Sequence, residues 1–187
     1  MMDTVSDELG ITMNYANPDE HVPEIEQSIR VIKEQFRTAY YCLPYRQIPK
    51  TMIKYLAMKV TSDLNLFPVK GGVSDFYSPN VILSRQNLDY KKHCMYEFGS
   101  YVQANQVNNP KNSNKPRTID GIYLRPTKTL QGGHEILDLN TNRVITRPKV
   151  TVIPISDIVI KRVEEMATEQ GIKTLKFLNR KKTTNLR

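Results

Sequence analysis

The sequence predicts an α+β chain: two long amphipathic helices, then a small antiparallel β module, then a C-terminal helix. Three observations carry this expectation. Apolar residues recur at helical spacing between residues 23 and 66, short alternating runs separated by turn residues take over after about residue 90, and a helical period returns after Ser156.

The first element is a strand over Gly10–Tyr15, where Ile11, Met13 and Tyr15 alternate with polar neighbours before the turn-rich Ala16-Asn-Pro-Asp-Glu20. Pro23 then suits a first helical turn, where its missing N–H costs nothing. Ile25, Ile29, Ile32 and Phe36 fall at i, i+4, i+7 and i+11, which predicts a helix over 23–41 that ends before Pro44. A second helix, over 49–66, follows from Ile48, Met52, Leu56, Val60 and Leu64, and is closed by Pro68 and Gly71-Gly72. Ser78-Pro79 marks a turn and one short helix within 73–83.

Met95–Gln103 reads as a strand and 103–116 as an Asn-rich loop. Thr118–Leu124, His134–Leu139 and Arg143–Ile153 are three further strand-like runs, the last interrupted by Pro148 and the last two joined through the turn Asn140-Thr141-Asn142. Four strands at this spacing predict a small barrel or curled sheet. Ser156 suits an N-cap, Val159, Val163 and Met166 share one helical face, and Gly171 stops the helix.

Charge is distributed unevenly. The formal net charge is +8, but residues 1–27 hold seven acids and no Lys or Arg, so the remainder carries 27 bases against 12 acids, a formal +15. A polyanion is the natural partner of such a chain. The last 17 residues carry six bases and no acid. Two distant cysteines, Cys42 and Cys94, point to free thiols in a reducing compartment. With no signal-like N-terminus and no apolar run of about 20 residues, an intracellular location, nuclear or cytoplasmic and away from the membrane, is expected.

On the first helix Glu26, Arg30, Lys33 and Arg37 also recur at i, i+4, i+7 and i+11. One carboxylate and three cations on a single stripe could present a metal ligand flanked by phosphate-holding bases, but the spacing alone favours a solvated face with an i,i+4 ion pair. Two Cys and three His without C-x-x-C or H-x-x-x-H spacing do not indicate zinc. Gly132-Gly133 fits no phosphate-loop signature and reads as a turn opening a strand.

A series of short motifs stands in one order: Asp19-Glu-His-Val-Pro-Glu-Ile-Glu26, Leu43-Pro44, Ile48-Pro49-Lys50, Gly71-Gly-Val-Ser74, Ser78-Pro79, Phe98-Gly-Ser-Tyr-Val-Gln103, Arg117-Thr118, Gly121-Ile-Tyr-Leu124, Pro126-Thr127, Gln131-Gly-Gly133 and Asp138-Leu-Asn-Thr141. In that order they resemble the copia-type LTR retrotransposon integrase, a segment of the element's Pol polyprotein, over roughly residues 5 to 167. In register, Glu26 matches the family's metal-binding Glu and Arg30 its companion, while Gln27 replaces the usual Arg or Lys.

The resemblance implies three parts. Residues 1–83 would be the C-terminal remnant of an RNase H-like core, 84–155 a small β module with the Asn-rich loop, and 156–187 a helix and basic tail. It also implies a link to DNA integration, with nucleic-acid binding through Arg30, Lys33, Arg37, Lys173, Lys176, Arg180, Lys181 and Lys182, and other parts of the polyprotein as further partners. The intact family uses Mg2+ or Mn2+ held by three carboxylates to transfer a DNA strand. Two of those carboxylates have no counterpart here, so this chain alone is expected to be inactive and to bind no metal. The alternatives are a piece of a working two-metal strand-transfer enzyme, or the unselected product of a decayed transposable element.

Overall fold

The structure is a computed structural model that describes residues 22–70, 72–85, 87, 89, 91, 94–106, 116–127, 129 and 132–177. The expected strand at Gly10–Tyr15 lies outside the described residues, as does 107–115 of the Asn-rich loop. Among the described residues the chain mixes four helices with an open, five-stranded antiparallel sheet.

Helix α1 spans Pro23–Tyr41, as its apolar spacing predicts, with Pro23 in its first turn and Glu24 and Glu26 placed to complement the positive end of the helix dipole. Helix α2 spans Lys50–Leu64. Its N-cap, Pro49, has no side chain to accept a hydrogen bond, so an acceptor comes from elsewhere: Lys50 N donates to Gln170 Oε1, and in the turn just before α2 Arg46 N donates to Glu164 Oε1, both at 2.8 Å. Ser78 Oγ caps the short helix α3, Pro79–Ser84, by accepting from Val81 N. Helix α4 covers Asp157–Glu169 and presents Val159, Val163 and Met166 to the core. Ser156 does hold the N-cap position of α4, but its side chain makes no capping bond.

The strands are β1 Tyr101–Asn105, β2 Thr118–Pro126, β3 His134–Asp138, β4 Val144–Arg147 and β5 Val150–Val152, in the spatial order β4-β3-β2-β1-β5. Five strands replace the expected four because the run Arg143–Ile153 breaks at Pro148, which has no N–H for a ladder. Only Pro148 and Lys149 separate β4 from β5, yet these strands form opposite edges of the sheet. Two residues span roughly 10 Å at full stretch, so the sheet has to curl until its edges approach. This is the curled alternative to a closed barrel. The Asn140–Asn142 turn is held by Asp138, whose Oδ1 accepts from Asn140 N (2.8 Å) and whose Oδ2 accepts from Thr141 Oγ1 (2.8 Å). The Gly132-Gly133 turn directly precedes β3, with Thr127 N donating to Gly133 O (2.9 Å).

Because the sheet is buried on both faces, β2 carries apolar residues in succession rather than in alternation. Ile122 and Leu124 join Leu137 and Leu139 against Tyr40, Leu43, Tyr45, Ile48, Met52, Leu56, Val159, Val163 and Met166. One core is thus shared by α1, α2, the sheet and α4, across residues 83/84 and 155/156. The opposite face gathers Val102, Ala104, Tyr123, Ile136 and Val150 inside the curl, with Tyr96 over them. Outside these clusters, Arg125 stacks on the Tyr55 ring (5.1 Å) and donates to Glu135, fastening α2 to β2 and β3.

Strand β1 begins at Tyr101 rather than Met95 because Gly99 adopts φ +85° and turns the chain first. Gly99 N donates to Tyr123 O (2.9 Å), while its carbonyl accepts from the buried Tyr45 Oη (2.7 Å). A Cβ at this position would stand 2.6 Å from Leu43 Cδ2. Gly99→Ala should therefore cost about 1–3 kcal/mol through backbone strain alone. Tyr45→Phe, which leaves that carbonyl buried and unpaired, should cost about 1–3 kcal/mol. Urea unfolding followed by circular dichroism checks both, and wild-type stability in either variant would contradict the role of this junction.

His134 lies edge-on to Tyr96 (5.0 Å) and opposite Arg147 across the β3–β4 ladder. Its Nδ1 is buried and makes no hydrogen bond. Burial lowers its pKa below the ordinary histidine value, so the native imidazole keeps its neutral form to lower pH than the unfolded one does. The unfolded chain takes up a proton below about pH 6.5. Stability from this residue is therefore complete above that pH and falls as the solution is acidified through it. Thermal melts between about pH 7.5 and 5.5 should show a steeper loss of Tm in the wild type than in His134→Phe; parallel curves would refute the assignment.

Candidate nucleic-acid interface

Helix α1 is packed along only half of its length. Ile32 and Phe36 lean on the core and Tyr40 is buried, whereas Ile25 and Ile29 remain exposed. Beside that apolar stripe Glu26, Arg30 and Lys33 are exposed and Arg37 is half-buried. Arg30 Nε donates to Glu34 Oε1 at 2.9 Å, an exposed i,i+4 pair that contributes only about 0.3–0.5 kcal/mol.

The C-terminal bases reach this helix by a defined turn. Gly171 N donates to Thr168 O (2.9 Å) and Ile172 N to Ala167 O (3.0 Å), the Schellman pattern, with Gly171 at φ +69°. The chain then runs back so that Leu175 and Phe177 pack against the main core. Phe177 is ringed by Tyr40 (5.5 Å), Tyr41 (5.5 Å) and Phe36 (6.2 Å), and the guanidinium of Arg37 sits 5.6 Å from its centroid. Within the basic tail that the sequence predicts, the apolar residues threaded among the bases dock the chain as far as Phe177.

Of the eight cations expected to bind DNA, the structure brings Arg37 and Lys176 to one end of α1, with Lys33 one helical turn away and Lys173 exposed on the docked segment. Arg30 lies two turns from Arg37 on the same stripe, and Arg180, Lys181 and Lys182 lie outside the described residues. Phe177 was not singled out in the sequence. Its signal was the recurrence of Ile172, Leu175 and Phe177 in an otherwise basic segment.

Glu26 stands on an exposed helix face, and among the described residues no group of three His, Cys, Asp or Glu side chains converges. The described donors do not fit a two-metal centre. Both cysteines are free and exposed, and both open onto a cleft of about 1780 Å³ between α2 and residues 94–98. Among the described residues no helix is long and apolar enough to cross a membrane.

Removing the ring that fixes the segment should free it. Phe177→Ala is expected to lower stability by about 3–5 kcal/mol if the site does not collapse, and by less if it does. Amide hydrogen exchange at 172–177 should quicken at the same time, and unchanged protection there would show that Phe177 does not hold the segment.

Compared with known proteins, the chain matches no family model, no curated protein sequence and no solved structure.

Proposed function

We propose that the chain is the C-terminal part of a copia-type integrase and acts as a module that holds DNA by its phosphates, with little readout of base sequence. The observation that supports DNA binding most directly is the docking of Phe177 on α1. It brings the segment that carries the exposed Lys176 onto the end of α1 that carries Arg37, so the stretches that hold these cations, about 140 residues apart in sequence, meet in the fold. Arg37, with its plane over a ring, is the type of group that meets a phosphate with two N–H donors at once. Such interactions position a duplex without identifying bases.

The parentage rests on the order of the short sequence motifs, and the exposure of α1 fits it. A helix that keeps Ile25 and Ile29 on the line of its packed residues, but in solvent, is a helix shaped to cover more than it covers here. In this reading residues 1–83 are a remnant of an RNase H-like core and Glu26 is its one remaining metal-binding carboxylate. Strand transfer through Mg2+ or Mn2+ belongs to the intact protein, because one carboxylate does not hold two hard cations. The chain alone is then a binding module without catalysis.

Fluorescence anisotropy on two unrelated duplexes over a salt series tests this. Neutralising Lys173, Lys176, Arg180, Lys181 and Lys182 together should weaken both complexes equally. The log–log salt slope should become shallower by about 0.9 for each phosphate that the variant no longer neutralises. An unchanged slope would remove the tail from DNA binding, and magnesium-dependent joining abolished by Glu26→Gln would overturn the catalytic incompleteness.

A further inference from the structure

Residues 66–70 leave the end of α2, and residues 72–84 return to it. Asn80 N donates to Asn65 O (3.0 Å), which closes the neck of the loop. Inside it Gly72 N donates to Val69 O (2.9 Å), and Ser74 Oγ accepts from Phe76 N (3.2 Å) and Tyr77 N (3.0 Å). The backbone is held by its own turns, in the manner of an Ω-loop. Its apolar side chains nevertheless point outward: Val73 is 95% exposed, Phe76 89%, Leu83 85%, Tyr77 60%, Val69 54% and Ile82 44%.

Singly exposed apolar residues are ordinary, but six large ones fall here within one short stretch of chain. Summed over the six, the exposed residue area is roughly 800 Å². It equals the roughly 800 Å² that one partner contributes to an interface of standard size. The charges set among these residues have both signs, Lys70 and Arg85 against Asp75. A face built for nucleic acid or an anionic lipid surface carries one sign, whereas a patch that meets its own copy needs both. Beside the loop lies a recess to receive a protruding ring, since residues 67–70, Asn80 and Ser84 also form one wall of the cleft along α2, where Lys59 stands on the lining.

We infer that the 66–84 loop is a self-association surface and that its occupant is the same loop of a second copy of this chain. Phe76 and Leu83 are its central apolar contacts, and Asp75 of each copy faces the Lys70 and Arg85 side of the other. The inference is independent of the DNA-binding reading, because none of the proposed DNA-binding cations lies in the loop.

Sedimentation velocity on the full chain, from about 1 to 100 µM, reads the outcome directly. The wild type should move from monomer toward dimer mass as concentration rises. Phe76→Asp and Leu83→Asp, each at an exposed position, should weaken association by about tenfold or more while circular dichroism stays unchanged. Ile158→Asp, at an equally exposed apolar residue on α4, should leave the dimer intact. A wild type that is monomeric throughout would overturn the inference. So would association weakened equally in Ile158→Asp, or a monomer that instead binds neutral phosphatidylcholine vesicles through Phe76.

Discussion

The contact between Tyr45 and Gly99 decides how the helical half of the chain meets the sheet. The Tyr45 hydroxyl reaches the Gly99 carbonyl from the turn between α1 and α2, while the Gly99 amide is tied to Tyr123 on the central strand. Leu43, two residues before Tyr45, occupies the space that a side chain at position 99 would need. Nothing larger than glycine gives both the positive φ and the close approach. Once the junction forms, Ile48, Met52 and Leu56 lie on Ile122 and Leu124, and the remaining core follows from the spacing of apolar residues.

A second layer of fastening runs through polar groups at the helix ends. Gln170, the C-cap of α4, accepts from Lys50 N, an amide that α2 cannot satisfy itself, and Glu164 accepts from Arg46 N in the turn before α2, while Gln47 returns the contact by donating to Glu164 O and Thr168 Oγ1. The N-terminus of α2 therefore forms fully only when the C-terminal helix is in place. The same C-terminal segment, continued through Gly171, brings Phe177 onto α1. Stability and the gathering of cations thus share one route through the chain.

Much of this could be read in the sequence, for physical reasons that differ by element. The helices were legible because Ile48, Met52, Leu56 and Val60 keep a single period over several turns, and α2 obeys it within two residues of the expected limits. The strands were legible as runs, but not in their breaks. Pro148 splits one run into two edges, and Gly99 delays β1, because in each case one backbone angle or one missing donor outweighs the side-chain pattern. The cationic stripe on α1 was visible from its period alone. The docking of the C-terminal segment beside it was not, since that depends on Phe177 finding three rings that only the folded α1 sets side by side.

The corner at Pro148 has a consequence for the order in which the sheet forms and opens. The β2–β3 and β3–β4 ladders join near neighbours in the chain, whereas β1 and β5 meet through three residue pairs, with Val102 against Val152 fifty positions later. Closure entropy grows with the length of the intervening chain, and few pairs offset it here. The edge that completes the curl is thus the most nonlocal and the shortest of the four pairings. In a thermal fluctuation it parts before the meander does, uncovering the Val102 and Val150 side of the inner cluster while the helix-covered face stays closed.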